Sequence, residues 1–209
     1  TQVLVGVKLQ TGTPFPDSQD EGVIITNLEL NPIASPEFEP GPPREDAIEM
    51  ARVVDRGIRE SGAIDIKKLC ITVGESVWIV FIDVHVLNDD GNLIDASCLA
   101  AIAALMTTVV PNEQQGIGTN VPLAMKEIPV GVTVAKIGSK LIVDPSLDEE
   151  AVCETKMTIV SSSDGSVAGM QKMGSAPLTE AEVMEAIDMA CEKAAELREL
   201  YLEELVKQE

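Results

Sequence analysis

Three arginines, Arg52, Arg56 and Arg59, recur at i, i+4 and i+7, a spacing that sends them from one side of a helix. Guanidinium groups aligned in this way can grip a row of anionic oxygens. They run against the global charge, because the 209-residue chain carries a formal net charge of −20. Two readings stay open here: a solvated face with local ion pairs to Asp55 and Glu60, or contact with an anionic ligand. His85 is the single histidine, which excludes metal sites built on two histidines and obliges any Ser/His/acid triad to use it. It falls in an alternating apolar strand, 77–86, sharing a face with Asp83 and Phe81, which suits a structural histidine. Cys70, Cys98, Cys153 and Cys191 are widely separated, each in an apolar or helical context, and lack Cys-x-x-Cys spacing, so reduced, buried thiols in a cytoplasmic protein are expected. The run Asp148-Glu149-Glu150 fits a solvated turn.

The elements that must position these groups follow from periodicity. Apolar residues make up 45% of the chain and aromatic residues 2%, so it should fold around a core of Val, Ile, Leu, Ala and Met rather than stay disordered. No apolar run approaches the roughly 20 residues that span a bilayer, and no export signal opens the chain. The net charge would repel nucleic acid unless cationic groups were concentrated locally or supplied by a partner.

Residues 1–9 alternate as a strand from the start, as though the chain begins inside a sheet. A Gly/Pro/Ser/Asp-rich stretch, 11–22, leads to a second strand at 23–30, and the two together suggest a hairpin with a long connection. A proline-rich loop precedes the arginine-bearing helix. Pro42 and Pro43 suit its first turn, Glu45, Asp46 and Glu49 complement its positive end, and Ile48, Met50, Ala51, Val54 and Ile58 form its apolar side. Strands follow near 69–73 and 77–87, then a turn at 88–92 and an almost wholly apolar helix over 97–108. Four more strands are expected at 128–135, 140–143, 154–161 and 166–172, with tight turns at Gly138-Ser139 and Asp164-Gly165. Thr179-Glu180-Ala181-Glu182 is a capping box, stapled by Leu178 and Val183. It opens a helix of roughly seven turns with Val183, Ile187, Ala190, Ala194, Leu197 and Tyr201 on its apolar face. The outcome is one mixed α/β domain with much antiparallel pairing.

Three segments, 42–58, 77–104 and 141–174, together resemble the RNase PH family, most specifically in Ala51-Arg52-Val53-Val54-Asp55-Arg56 and Gly74-Glu75-Ser76-Val77-Trp78. More narrowly, the chain resembles the catalytically silent RNase PH-like subunits of archaeal exosome cores, over essentially its whole length. The resemblance implies the ribosomal protein S5 domain 2-like fold with two β-α-β-α halves, and further N-terminal strands before Thr1. It implies phosphorolysis as the family chemistry, in which inorganic phosphate attacks the terminal phosphodiester of an RNA 3′ end.

The positions matching the family's chemistry are altered. Glu45 and Asp46 stand where active relatives carry paired arginines. In Asp95-Ala96-Ser97-Cys98, Cys98 stands at the hydroxyl of the phosphate-binding turn, and a thiol is a weak donor; Ser97 could compensate or cap the helix. Of two carboxylates six apart, the first is Glu150 but the second is Lys156, a poor general acid at neutral pH. The resemblance therefore implies a non-catalytic exosome subunit, with no cofactor and no metal. Its partners would be a catalytic RNase PH-like sister in a six-membered ring, RNA-binding cap proteins and RNA. Arg52, Arg56, Arg59 and, more weakly, Arg44 are the candidate RNA contacts. The alternative is an active phosphate-dependent exoribonuclease similar to RNase PH, relying on Ser97 and Glu150.

Overall fold

In the computed structural model, residues 1–202 and 205 are described. In chain order the elements are β1 (Gln2–Gly12), β2 (Val23–Leu30), α1 (Glu45–Glu60), β3 (Cys70–Thr72), β4 (Ser76–Asn88), α2 (Leu93–Met106), β5 (Val109–Val110), β6 (Val121–Pro122), β7 (Val130–Ile137), β8 (Lys140–Val143), α3 (Leu147–Val152), β9 (Thr155–Ser161), β10 (Val167–Gly174) and α4 (Glu180–Leu197).

β4 organises the first sheet. Val80, Ile82, Val84 and Val86 alternate inward and are fully buried, while Phe81, Asp83 and His85 share the half-exposed face, as alternation requires. The expected hairpin between the first two strands does not form: β1 pairs antiparallel and β2 parallel with opposite edges of β4. β4 lies between the two strands, and the parallel β2–β4 pair needs a long crossover, which α1 supplies. The second sheet, β10-β9-β7-β8, is wholly antiparallel, with the expected turns at Gly138-Ser139 and Asp164-Gly165. One buried cluster runs through both sheets, joining Val80 and Ile82 to Ile102, Val132, Ile159 and Ala190.

The helices fit this core in ways that depart locally from periodicity. Pro42 and Pro43 lie before α1, whose N-cap is Arg44. Ile48 is 49% exposed, because α1 buries Ala47, Ala51, Val53, Val54, Gly57 and Ile58. Gly57 allows a close approach: a Cβ there would lie 3.3 Å from Val160 Cγ2. α2 begins four residues earlier than expected, at Leu93, and lies against β1, β7, β4 and α1, in keeping with its uniform apolarity.

α4 has the capping box, with Thr179 Oγ1 accepting from the Glu182 amide at 3.3 Å and Glu182 Oε2 accepting from the Thr179 amide at 2.8 Å. Beyond Leu197 the chain widens into a π turn, Arg198–Leu202. The extra residue per turn puts Leu202 in the core and leaves Tyr201 exposed, the reverse of simple helical spacing. Arg198 is buried, its Nε donating to the Ile128 carbonyl at 2.8 Å and its guanidinium to the Ser161 carbonyl at 3.0 Å. The further turns expected of this helix fall on residues 203–204 and 206–209, outside the described residues.

Glu182 also meets Lys136 Nζ at 2.6 Å. That ammonium, with the Thr179 amide, holds its carboxyl down at about 2, from an ordinary 4.5. A depressed carboxyl stabilises the fold fully above its unfolded value and loses that contribution as pH falls through the folded one. Glu182→Gln should therefore melt below wild type at neutral pH, with the gap closing between pH 4.5 and about 2. Melting curves over a pH series check this; a gap independent of pH would contradict it.

Candidate functional site

A cleft of about 310 Å³ opens where the start of α1, the start of α2, α3, β7 and β9 converge. Asp46 and Glu49 come from α1, Asp89 and Asn92 from the turn before α2, Thr133 from β7, Glu150 from α3 and Lys156 from β9. Leu30, Phe38, Met50, Leu93 and Met173 supply apolar wall. Four carboxylates thus face one ammonium, and that ammonium is committed: Lys156 Nζ lies 2.7 Å from Glu150 Oε1, with both side chains about three-quarters buried.

Asn92 fixes the turns that build this wall. It takes a left-handed conformation (φ 53°), as does Asp144 (φ 54°), and asparagine and aspartate tolerate that region best among side-chain-bearing residues. Its Nδ2 donates to Asp95 Oδ2 at 3.0 Å and to Asp144 Oδ1 at 2.9 Å, tying the two turns together. Gly91 between them has φ 91° and packs so closely that a Cβ would meet the Pro145 carbonyl oxygen at 2.5 Å. The Asn92 Oδ1 is buried and has no hydrogen-bond partner among the described residues.

Asp95 lines a second cavity, with Asp144. It accepts from the Thr133 amide at 2.7 Å and pairs with Thr133 Oγ1 at 2.6 Å, which in turn meets Thr158 Oγ1 at 2.7 Å. Burial pushes its carboxyl up to about 6, against the Thr133 and Asn92 hydrogen bonds that favour the charged form.

The family-matched positions divide. The structure brings Asp46, Glu150 and Lys156 into one cleft. Glu45 is exposed at the helix start outside the lining. The stretch 95–98 is no turn but the first turns of α2. Ser97 is fully buried with Oγ unpartnered among the described residues, so it is not the cap. Cys98 is buried too, its Sγ 3.2 Å from where a Cβ on Gly131 would sit, and burial raises its thiol well above the ordinary range. It therefore offers the cleft no donor; of the four thiols expected to be buried it alone is, while Cys70, Cys153 and Cys191 are only partly covered.

The arginines lie away from the cleft, exposed along α1, and they splay. Arg56 donates to Gln171 on β10. Arg59 pairs with Asp55 at 2.6 Å and also reaches the Ile24 carbonyl on β2. Arg52 has no hydrogen-bond or ion-pair partner among the described residues, and Arg44 pairs with Glu39. His85 faces Glu29 Oε2 at 3.2 Å on the outer side of β4, a structural place. Sequence reasoning missed Asn92, Thr133 and Asp144. For Asn92 a signal existed, an asparagine after glycine at a helix start; Thr133 carries none.

Two family models match: 3′ exoribonuclease family domain 1 over residues 1–111 and domain 2 over residues 127–193. The chain belongs to this RNase PH-type 3′ exoribonuclease family. It is 90% identical to the exosome complex component Rrp42 of Methanosarcina mazei, over all of this chain and 79% of that protein. A solved structure described as the Archaeoglobus fulgidus exosome with RNA bound to the active site contains a chain matching at TM-score 0.92 and 55% identity, over 94% of this chain and 78% of that one. An archaeal exosome core matches at TM-score 0.86 and 50% identity, over 94% of this chain and 75% of that one.

The raised Asp95 carboxyl sets a pH test. Its contribution to stability is fully present below its unfolded value of 3.8 and lost as pH rises through about 6. Asparagine can keep the three contacts: its oxygen accepts the two N–H groups, and its amide donates to Thr133 Oγ1. The stability of wild type relative to Asp95→Asn should therefore fall by about 2 kcal/mol from pH 4 to pH 6.5. Urea denaturation across that range measures it; a constant difference would contradict the assignment.

Proposed function

We propose that the chain is a non-catalytic subunit of an exosome 3′-to-5′ RNA-degrading complex. It alternates with a phosphorolytic RNase PH-like sister in a six-membered ring, shapes the sister's active site, helps bind RNA and carries RNA-binding cap proteins. The observation that supports this best is the cleft's charge. Phosphorolysis needs a phosphate dianion beside an RNA phosphodiester, and here four carboxylates surround one ammonium already spent on Glu150. At an effective dielectric of about 20, each carboxylate some 6 Å from a phosphate charge adds about 3 kcal/mol of repulsion. The likeness to Rrp42 and to exosome core chains supports the assembly. No described helix is long and apolar enough to cross a membrane.

RNA contact falls first to Arg52, which is exposed and free of intrachain partners among the described residues. Arg56 and Arg59 have contacts to give up, and Arg44 must leave Glu39. Neutralising a phosphate releases counterions, so each engaged arginine steepens the salt dependence of binding by about one charge.

Mixing this chain with its sister subunit, RNA and phosphate tests the reading. Nucleoside diphosphate release should require the sister and be negligible from this chain alone. In the assembled ring, Arg52→Ala should weaken RNA binding and flatten its salt slope without lowering the melting temperature. Phosphorolysis by the chain alone would favour the active-enzyme alternative. Unchanged RNA affinity over a salt series, with the ring intact, would remove Arg52 from the RNA path.

A further inference from the structure

We propose that a slot between α1 and β10 takes one unpaired RNA base beside the arginines that hold the phosphates. This depends on the RNA-binding role proposed for α1. The slot has a volume of about 170 Å³, too little for a drug-sized ligand, which fills at least about 300 Å³. Its apolar lining is Val53, Gly57, Val160 and Met170. Gly57 lets helix and sheet approach closely, since a Cβ there would lie 3.3 Å from Val160 Cγ2. Met170 is 43% exposed, a large apolar side chain that lines the slot and still meets solvent.

Arg56, Glu60 and Gln171 add polar groups to this lining. Arg56 donates to Gln171 Oε1, which fixes the way the amide faces. Its Nε2 has only long contacts, to Glu49 Oε1 at 3.5 Å and to the Lys172 carbonyl at 3.4 Å, so its donor capacity is barely used. No hydrogen bond or ion pair among the described residues occupies the Glu60 carboxylate. A donor and an acceptor thus border an apolar slot. Every RNA base presents acceptors and amino or imino hydrogens along its edge, whereas an aliphatic group presents neither. Unpaired bases also stack on guanidinium planes, and Arg56 brings one to the slot.

Charge selects the same occupant. Asp55 is already paired with Arg59, and Arg56 offsets Glu60, so Arg52 remains as unspent positive charge on this part of α1. Arg52 and Arg56 are one turn apart, about 6 Å along the helix, within the span of a single nucleotide. A phosphate held at Arg52 leaves its base within reach of the slot.

Oligouridylate carrying 4-thiouridine, bound to the assembled ring in phosphate-free buffer and irradiated, tests this on the unsubstituted chain. Mass spectrometry should find crosslinks within residues 168–171; crosslinks that fall only elsewhere would overturn the proposal. Gly169→Leu fills the slot, and a Cβ at Gly169 meets nothing within 4 Å, so the melting temperature should hold. It should weaken oligouridylate binding about fivefold or more with the salt slope unchanged, because no phosphate contact is lost. If Arg52→Ala weakens binding and Gly169→Leu leaves it within about twofold, the slot falls and the phosphate contact stands; if neither acts, both fall. Loss of the ring in Gly169→Leu, with the isolated chain melting as wild type, would also overturn the proposal and give the slot to a neighbouring subunit.

Discussion

The Asn92 side-chain amide holds apart, and together, the two turns on which the cleft depends. One donor group serves Asp95 at 3.0 Å and Asp144 at 2.9 Å, so the start of α2 and the turn before α3 cannot move independently. Both anchoring residues sit in left-handed backbone, a conformation that costs side-chain-bearing residues energy unless the surroundings require it. Here they do: Gly91 packs against the Pro145 carbonyl with no room for a Cβ. Asp89 and Glu150 ride on these interlocked segments, and the cleft's charge follows from where they are held.

That charge is the main departure from what phosphorolysis demands. The cleft gathers the carboxylates of Asp46, Glu49, Asp89 and Glu150, while Arg52, Arg56 and Arg59 stand on the exposed face of α1. Lys156 illustrates how small the change needs to be. It lies where the resemblance implies the second acidic group, six residues from Glu150, and forms an ion pair with it. α3 and β9 bring the two side chains within reach of each other, and the salt bridge occupies both.

Much of the fold was legible because periodicity and turn chemistry agree along most of the chain. The α4 capping box, the Gly138-Ser139 hairpin and the alternation of β4 are local features, and each appears where the residues place it. The pairing of β1 and β2 with opposite edges of β4 was not legible, since the choice of partner is a property of the whole sheet. Nor was the register change at Arg198, where two backbone carbonyls draw an arginine inside and Tyr201 is turned out. Within the site, Glu150, Lys156 and Asp46 could be singled out from the sequence. Cys98 could not be placed, because the helix begins at Leu93 and carries the thiol into the core against Gly131. Thr133 and Asp144 matter only through contacts between distant segments, and no local pattern marks them.

Direct titration of inorganic phosphate onto the isolated chain, followed by calorimetry at neutral pH and low salt, tests most sharply whether the cleft has exchanged its affinity for anions. Four carboxylates around a paired Lys156 predict no saturable heat. Saturable phosphate binding that Lys156→Gln abolishes would contradict it, because the ammonium would then be holding phosphate rather than Glu150.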